Sequence, residues 1–387
     1  MSGIVLTASV RQNLLSLQST ADLLSTTQNR LATGNKVNSA LDNPTNFFTA
    51  QGLNNRASDI NNLLDSIGNG VQVLQAANTG ITSLQKLVDT AKSIANQVLQ
   101  APAGYTTHST VTSTIAAGGT AANLVDGTTI KSGQTISVAQ SGALPAITVT
   151  IGASESLDQL NAALAPGNIT ASLDSANKLV FTTTNDALSS TIGAVTVGTT
   201  PGTLAFGTPT APTADAASQT IRASLVKQYN DIITQISTTS QDASFNGINL
   251  LNGDNLKLTF NETGKSTLNV TGVTFNAAGL GLAALTSGSD FLDNNSANAT
   301  LTKLGSASTT LRTEASALGS NLSVVQIRQD FNKNLISVLQ TGASSLTLAD
   351  TNEEAANSQA LSTRQSIAIS ALALANQSQQ SVIRLLQ

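Results

Sequence analysis

The two ends of this chain carry the same constraint. Val10, Leu14, Leu17, Ala21, Leu24, Gln28 and Leu31 recur at alternating steps of four and three. That is the spacing of residues that face another helix. At the other end Leu361, Gln365, Ala368, Leu372, Ala375, Gln379, Val382 and Leu386 do the same. Ile369 and Ile383 widen this second face beyond a two-stranded seam, and the small Ala368 and Ala375 permit close helix approach. The last turn presents Val382, Leu385 and Leu386 with no glycine, proline or charged tail after them. Each end therefore requires a helical partner, and each is the obvious partner of the other.

One such pair is marginal. Ordering a residue costs about 1.5 kcal/mol, and burying a Leu or Val returns about 1.5–3 kcal/mol. With an apolar residue at roughly every third position, the sums nearly cancel. Further copies of the same helices are the expected additional neighbours. Gln28, Gln365 and Gln379 interrupt the stripes where polar residues fix register and partner number.

Between the ends the pattern changes. Residues 1–104 read as helical, with stripes at Ile60, Leu64, Ile67, Val71 and Leu74 and at Leu84, Leu87, Ala91, Ile94 and Val98. Gly34 and Pro44 break the helices, and Pro102 and Gly104 stop them. Residues 105–215 are rich in Thr, Ser and Gly, and all but one of the seven prolines lie from Pro102 to Pro212. Alternation at Gln134–Gln140 and Ala146–Gly152 predicts strands, Ser156–Ala165 a short capped helix, and Ile169–Thr184 a hairpin turning at Asp174–Asn177. Helical patterning returns from 216, interrupted by a hairpin at Leu256–Gly272 turning at Glu262–Lys265. The expected fold class is mainly α with β: long antiparallel helices from both termini, coiled-coil-like, around an inserted β-rich outer domain.

Composition excludes several functions. Only 10% of residues are charged, against roughly 25% in typical soluble proteins. The net charge is -4 with no basic block, so nucleic acid is a poor partner. No apolar run approaches the ~18 residues of a membrane span, and the start lacks the basic n-region of a cleavable secretory signal. Cysteine is absent. The single histidine, His108, cannot build a triad or a multi-His metal site and is assigned a packing or surface role. Gly279–Ala284 formally matches a dinucleotide fingerprint, but turn residues follow where a helix is needed. Asp350, Glu353 and Glu354 suit a helix N-terminus better than acid–base chemistry. No catalytic, cofactor-binding or metal-binding residues are expected. The hydroxyl-rich middle would also accept O-linked sugar, or simply present solvated strand faces.

Three stretches carry a family resemblance. Asn29–Pro44, "NRLATGNKVNSALDNP", is similar to the N-terminal motif of bacterial flagellins. Gln241–Gly253, "QDASFNGINLLNG", resembles their Q-x-x-F-N-G-x-x-L-L-x-G signature. Ser370–Gln387 resembles their C-terminal ending. Leu348–Gln365 is more like alphaproteobacterial than enteric flagellins. The resemblance implies a non-enzymatic, secreted subunit of the extracellular flagellar filament. It implies an inner core of 1–45 with 345–387, a helical layer of 46–104 with 216–344, and a variable outer domain of 105–215. Its implied partners are copies of itself, hook-associated and cap proteins, an export chaperone and the type III export apparatus. Self-assembly would fall to Val10, Leu14, Leu17, Leu24, Leu31, Leu361, Ala368, Leu372, Ala375, Val382, Leu385 and Leu386. The segment that a host Toll-like receptor reads in many flagellins stands here as Leu84–Asn96, with Lys86, Val88 and Thr90 departing from the family's Arg, Arg and Leu. A hook–filament junction protein is the alternative within the same apparatus. An adhesin or an enzyme in the middle zone is the alternative outside it.

Overall fold

The computed structural model describes residues 8–198 and 202–385. They group into two compact units. The first contains residues up to 69, 257–268 and those from 324 onward; the second contains 70–256 and 269–323.

In the first unit, helix α1 (Ala8–Thr33) packs along helix α6 (Thr351–Leu385). Gly34 ends α1 at φ +70°, a conformation that suits glycine. The chain then pairs with the segment before α6. Asn35 bridges Leu348, Lys36 N donates to Thr347 O (2.8 Å), and Ala349 N donates to Gly34 O (3.0 Å). Helix α2 (Pro44–Gln100) opens with proline at its first position, where no amide is missed. Asn43 Oδ1 caps it by accepting from Asn46 N (3.0 Å). In this unit Ala57 and Ile60 of α2 pack against Ile336 and Leu339 of helix α5 (Asn294–Thr347).

The second unit holds the rest of α2, buried along Leu74, Ile81, Leu84, Val88, Ala91 and Val98. It also holds helix α4 (Ala216–Asp242), the start of α5, and the β-rich region. Six strands follow α2: β1 (Thr110–Thr112), β2 (Thr135–Val138), β3 (Ile147–Thr150), β4 (Ile169–Leu173), β5 (Leu179–Thr183) and β6 (Val195–Gly198). They form two antiparallel sheets, ordered β1-β5-β4 and β3-β2-β6. Helix α3 (Leu157–Leu164) lies against β3 and β4. Ser156 and Gln159 close its capping box. Phe181, Ile136, Leu160 and Leu124 share one core. The β4–β5 turn is set by Asp174, whose Oδ1 accepts from Ala176 N and Lys178 N, and by Asn177 at φ +58°. A separate hairpin, β7 (Leu256–Thr259) and β8 (Thr267–Val270), precedes α5.

Asp126 is the main titratable anchor of the β-rich region. Its Oδ1 accepts from Thr128 N (3.0 Å), Thr129 N (2.8 Å) and Ile130 N (2.9 Å), and its Oδ2 from the Thr128 hydroxyl (2.7 Å). Burial pushes its pKa up, but the Thr128 hydroxyl and the three amides outweigh burial and hold it well below the usual 3.8. A depressed carboxylate contributes stability above its unfolded pKa and loses it as pH falls through the folded value. Asn at this position keeps the Oδ1 acceptor but not the charge. The stability gap between wild type and Asp126→Asn is therefore expected to shrink steadily as pH falls below about 5, toward the depressed folded value. Urea denaturation at several pH values measures it, and a gap independent of pH would contradict the assignment.

Candidate self-assembly surfaces

The α1–α6 pair is antiparallel, because the end of α1 lies beside the start of α6. Its register is pinned by Arg30 Nη1 and Glu354 Oε1 at 3.3 Å. Beyond that pair the inward-facing positions of the two helices step by threes and fours together, which sets Thr27 opposite Ser358, Leu24 opposite Leu361 and Thr20 opposite Gln365. Leu17 falls opposite Ala368, Asn13 opposite Leu372 and Val10 opposite Ala375. All twelve are buried or half-buried. Apolar and polar rungs thus alternate along much of the pair, so its apolar burial is thin.

The N-terminal spacing put Leu14, Gln28 and Leu31 on this seam, and the structure differs there. Those three are exposed, and Asn13, Thr20, Thr27 and Arg30 face inward instead. Apolar residues occupy two adjacent lines on α1, and α6 covers only one side of them. On α6 the sequence spacing and the half-buried face coincide at Leu361, Gln365, Ala368, Leu372 and Ala375. Ile367, Ile369 and Leu374 remain exposed. The side chains of Gln379, Val382 and Leu385, and Leu386 altogether, lie outside the described residues. Exposure within one chain concerns this intrachain contact only.

The loop after α1 is stiffened by Asp42. Its Oδ2 accepts from Ser39 N (2.9 Å), Asn38 N (2.9 Å) and Ser39 Oγ (3.2 Å). The Ser39 and Asn38 amides hold its carboxyl below the ordinary carboxylate range. At the start of α6, Asp350 Oδ1 accepts from Asn352 N (2.9 Å) and Glu353 N (3.3 Å). The acidic cluster is thus a helix cap plus the Arg30 partner.

The Gln241–Gly253 stretch is built for folding. Asn246 (φ +50°) and Gly247 (φ +80°) turn the chain, with Phe245 and Ile248 exchanging two backbone hydrogen bonds of 3.0 Å. Asn249 is buried. Its Nδ2 donates to Ser240 O and Gln241 O (2.8 Å each), and its Oδ1 accepts from Leu251 N (2.9 Å). These bonds tie the end of α4 to the loop and drive Leu250 and Leu251 into the core.

Other sequence-flagged residues take structural places. His108 is half-buried. Gly279–Ala284 lies in turns, with no helix until Asn294. Among the described residues no group of three or more His, Cys, Asp or Glu could hold a metal ion. Lys86 and Thr90 are exposed, whereas Val88 is fully buried in the second unit.

Sequence reading passed over Arg222. Its guanidinium is buried and donates to Pro102 O (2.7 Å), Phe291 O (2.7 Å) and Ala101 O (3.2 Å). It thereby closes the C-terminal end of α2. The available signal was an arginine on the buried stripe of Ser218, Leu225, Tyr229, Ile233 and Ile236. Burial pushes the neighbouring Tyr229 up to about 12, with Asp290 adding to it.

Comparison with known proteins agrees with the ends of this architecture. The bacterial flagellin N-terminal helical region matches residues 5–136, and the bacterial flagellin C-terminal helical region matches 301–386. Flagellin FljM of Caulobacter vibrioides is 32% identical over 166 residues, which are 42% of this chain and 58% of that one. Flagellin FljK of the same organism is 33% identical over 167 residues, with the same shares. Flagellin A of Rhizobium meliloti is 33% identical over 110 residues, 28% of this chain and 25% of the relative. The chain thus spans a little over half the length of the Caulobacter relatives. These organisms are alphaproteobacteria, the group that Leu348–Gln365 resembles. Matched at both helical ends, in this order and over more than half of its length, the chain belongs to the bacterial flagellins.

Proposed function

We propose that this chain is the structural subunit of a bacterial flagellar filament, polymerised from its own copies outside the cell and serving motility. The observation that carries the reading is the thin α1–α6 seam beside uncovered apolar residues. Leu14, Leu15, Leu23 and Leu31 on α1, and Ile367, Ile369 and Leu374 on α6, face outward in the single chain. Copies packed side by side would remove them from water, at roughly 25 cal/mol per Å² of apolar surface. In that arrangement Val10, Leu17, Leu24, Leu361, Ala368, Leu372 and Ala375 hold the intrachain seam, and Leu14 and Leu31 turn to neighbours. By their sequence spacing alone, Val382, Leu385 and Leu386 are proposed to take part in the same assembly.

Low charge fits the same reading, since a polymer repeats every charge in each subunit. The proposed layering keeps 1–45 with 345–387 innermost, 46–104 with 216–344 around them, and 105–215 outermost. Hook-associated and cap proteins, an export chaperone and the type III export apparatus are its proposed partners. The family is a structural one, and we infer no catalytic role. The sequence has no basic block to invite nucleic acid, and no described helix is long and apolar enough to cross a membrane.

Salt- or seed-induced polymerisation, followed by negative-stain electron microscopy, tests the proposal. Long uniform filaments are expected from the full chain and none from a variant lacking Ser381–Gln387. A full chain that stays monomeric would reject the filament reading.

The receptor segment is proposed to be a poor ligand. Lys86 and Thr90 stand where relatives offer an arginine fork and a leucine anchor, and Val88 is buried. Reporter cells bearing the receptor should respond far more weakly than to a motif-matching flagellin, and an equal response would refute this. Val88→Arg should unfold the segment rather than restore recognition, because it buries a charge.

A further inference from the structure

We propose that Leu41 of one copy docks as a knob into a basic-rimmed cleft on the first unit of a second copy. This rests on the polymer reading above and names one contact within it. Leu41 is 96% exposed, an unusual state for a leucine on a rigid turn. Its position is fixed by Leu41 N donating to Ser39 Oγ (3.3 Å) and by the Asp42 carboxylate bonded to the amides of Asn38 and Ser39. Phe48 and Leu348 are also exposed at this end of the unit. Three exposed carboxylates accompany them, Asp42, Asp350 and Glu353, against Lys36.

The receiving cleft has a volume of about 230 Å³. That is below the roughly 300–1,000 Å³ of small-molecule sites, and it suits a side chain better than a free ligand. Ile60 of α2, Phe260 of the hairpin segment, and Phe331 and Leu335 of α5 supply its apolar lining. Phe331 is exposed at the mouth, and Ile327 and Val338 continue an exposed ridge along the same line of α5. Arg56 and Arg328 also line the cleft. Arg56 Nε binds Glu262 Oε1 at 2.8 Å. Arg328 lies 5.9 Å from the Phe260 ring centroid and has no ion-pair partner among the described residues.

A second copy of this chain is the occupant because the two patches complement each other. One offers a bare leucine among carboxylates; the other offers a cleft whose apolar patch is bordered by Asn261, Ser266 and Asn332 and carries a surplus guanidinium. Both lie on the same unit of one chain and they are different surfaces. A contact between unlike patches is heterologous, and it repeats into an open polymer unless its rotation closes a ring. The acidic surroundings of the knob and the basic rim also set the orientation of approach.

The cysteine-free chain allows a direct test. Leu41→Cys and Phe331→Cys chains are mixed, polymerised and oxidised. Disulfide-linked heterodimers are expected in the mixed polymer and absent from soluble mixtures and from polymers of either variant alone. A mixed polymer that grows without heterodimers overturns the contact and leaves the filament reading intact. A wild-type chain that does not polymerise overturns both. Leu41→Ser gives an independent readout that needs no cross-link. It should raise the critical concentration for growth roughly tenfold or more while leaving the monomer's melting temperature unchanged. An unchanged critical concentration overturns the proposal as well.

Discussion

Arg222→Met is expected to lower the stability of the second unit by about 3–5 kcal/mol, the range for removing one side of a buried, charge-assisted network. Methionine fills much of the same volume, so the loss isolates the hydrogen bonds. Three carbonyls lose their donor: the part-buried Ala101 and Pro102 just past the end of α2, and the buried Phe291. Phe291 holds φ +62°, and its amide is tied to Ser296 Oγ (3.0 Å), so the loop cannot simply turn its carbonyl to water. Asp293 loses a nearby cation too. Its Oδ1 accepts from Ser296 N in the first turn of α5, and its Oδ2 accepts from the Ser189 hydroxyl. Burial pulls the Arg222 pKa down and Asp293 pushes it back up; the guanidinium stays charged in a protein in any case. Arg222→Lys keeps a charge but not the planar fork that reaches three separated carbonyls, so most of the loss should persist. Urea unfolding of both variants measures the effect, and a change below about 1 kcal/mol would show that water replaces the guanidinium.

Gly80→Ala should destabilise the chain although Gly80 lies inside a helix, where alanine ordinarily gains about 1 kcal/mol. A Cβ built there meets Ala243 Cβ and Leu251 Cδ1, both at 2.6 Å. Leu251 could rotate, but it is buried in the core that Asn249 organises. Ala243 has no rotamer to change. Separating α2 from the loop would strain the Asn249 bonds, and overpacking of this kind costs about 1–3 kcal/mol. The net expectation is a loss of about 1–2 kcal/mol, seen as a lower thermal midpoint. Gly305→Ala serves as the control, since nothing lies within 4 Å of its added Cβ; it should be neutral or stabilising. Equal behaviour of the two variants would mean that the close approach at Gly80 is not enforced.

Much of the architecture was legible because periodicity is a local property. Three-and-four spacing marked α6 at Leu361, Gln365, Ala368, Leu372 and Ala375, and turn residues marked the β4–β5 and β7–β8 hairpins. The capping box at Ser156 and Gln159 announced α3. The motifs at Asn29–Pro44 and Gln241–Gly253 pointed to the family without exposing why they are needed. Their asparagines and glycines act through bonds to segments next to them in space, as Asn249 does with the end of α4.

The sequence by itself determined where most helices and strands form, the short β1 and β6 excepted, and which face of α6 turns inward. Only the tertiary structure decided which of two apolar lines on α1 faces α6. Leu14 and Leu31 are as apolar as Leu17 and Leu24, so hydrophobicity could not choose between them. The Arg30–Glu354 pair and the Asn35–Leu348 bridge fix the register, and they join residues more than 300 positions apart. The same holds for the strand orders β1-β5-β4 and β3-β2-β6, for the Arg222 clamp and for the contact at Gly80. Each depends on distant segments meeting at a set distance, and spacing along a chain does not encode that distance until the chain is folded.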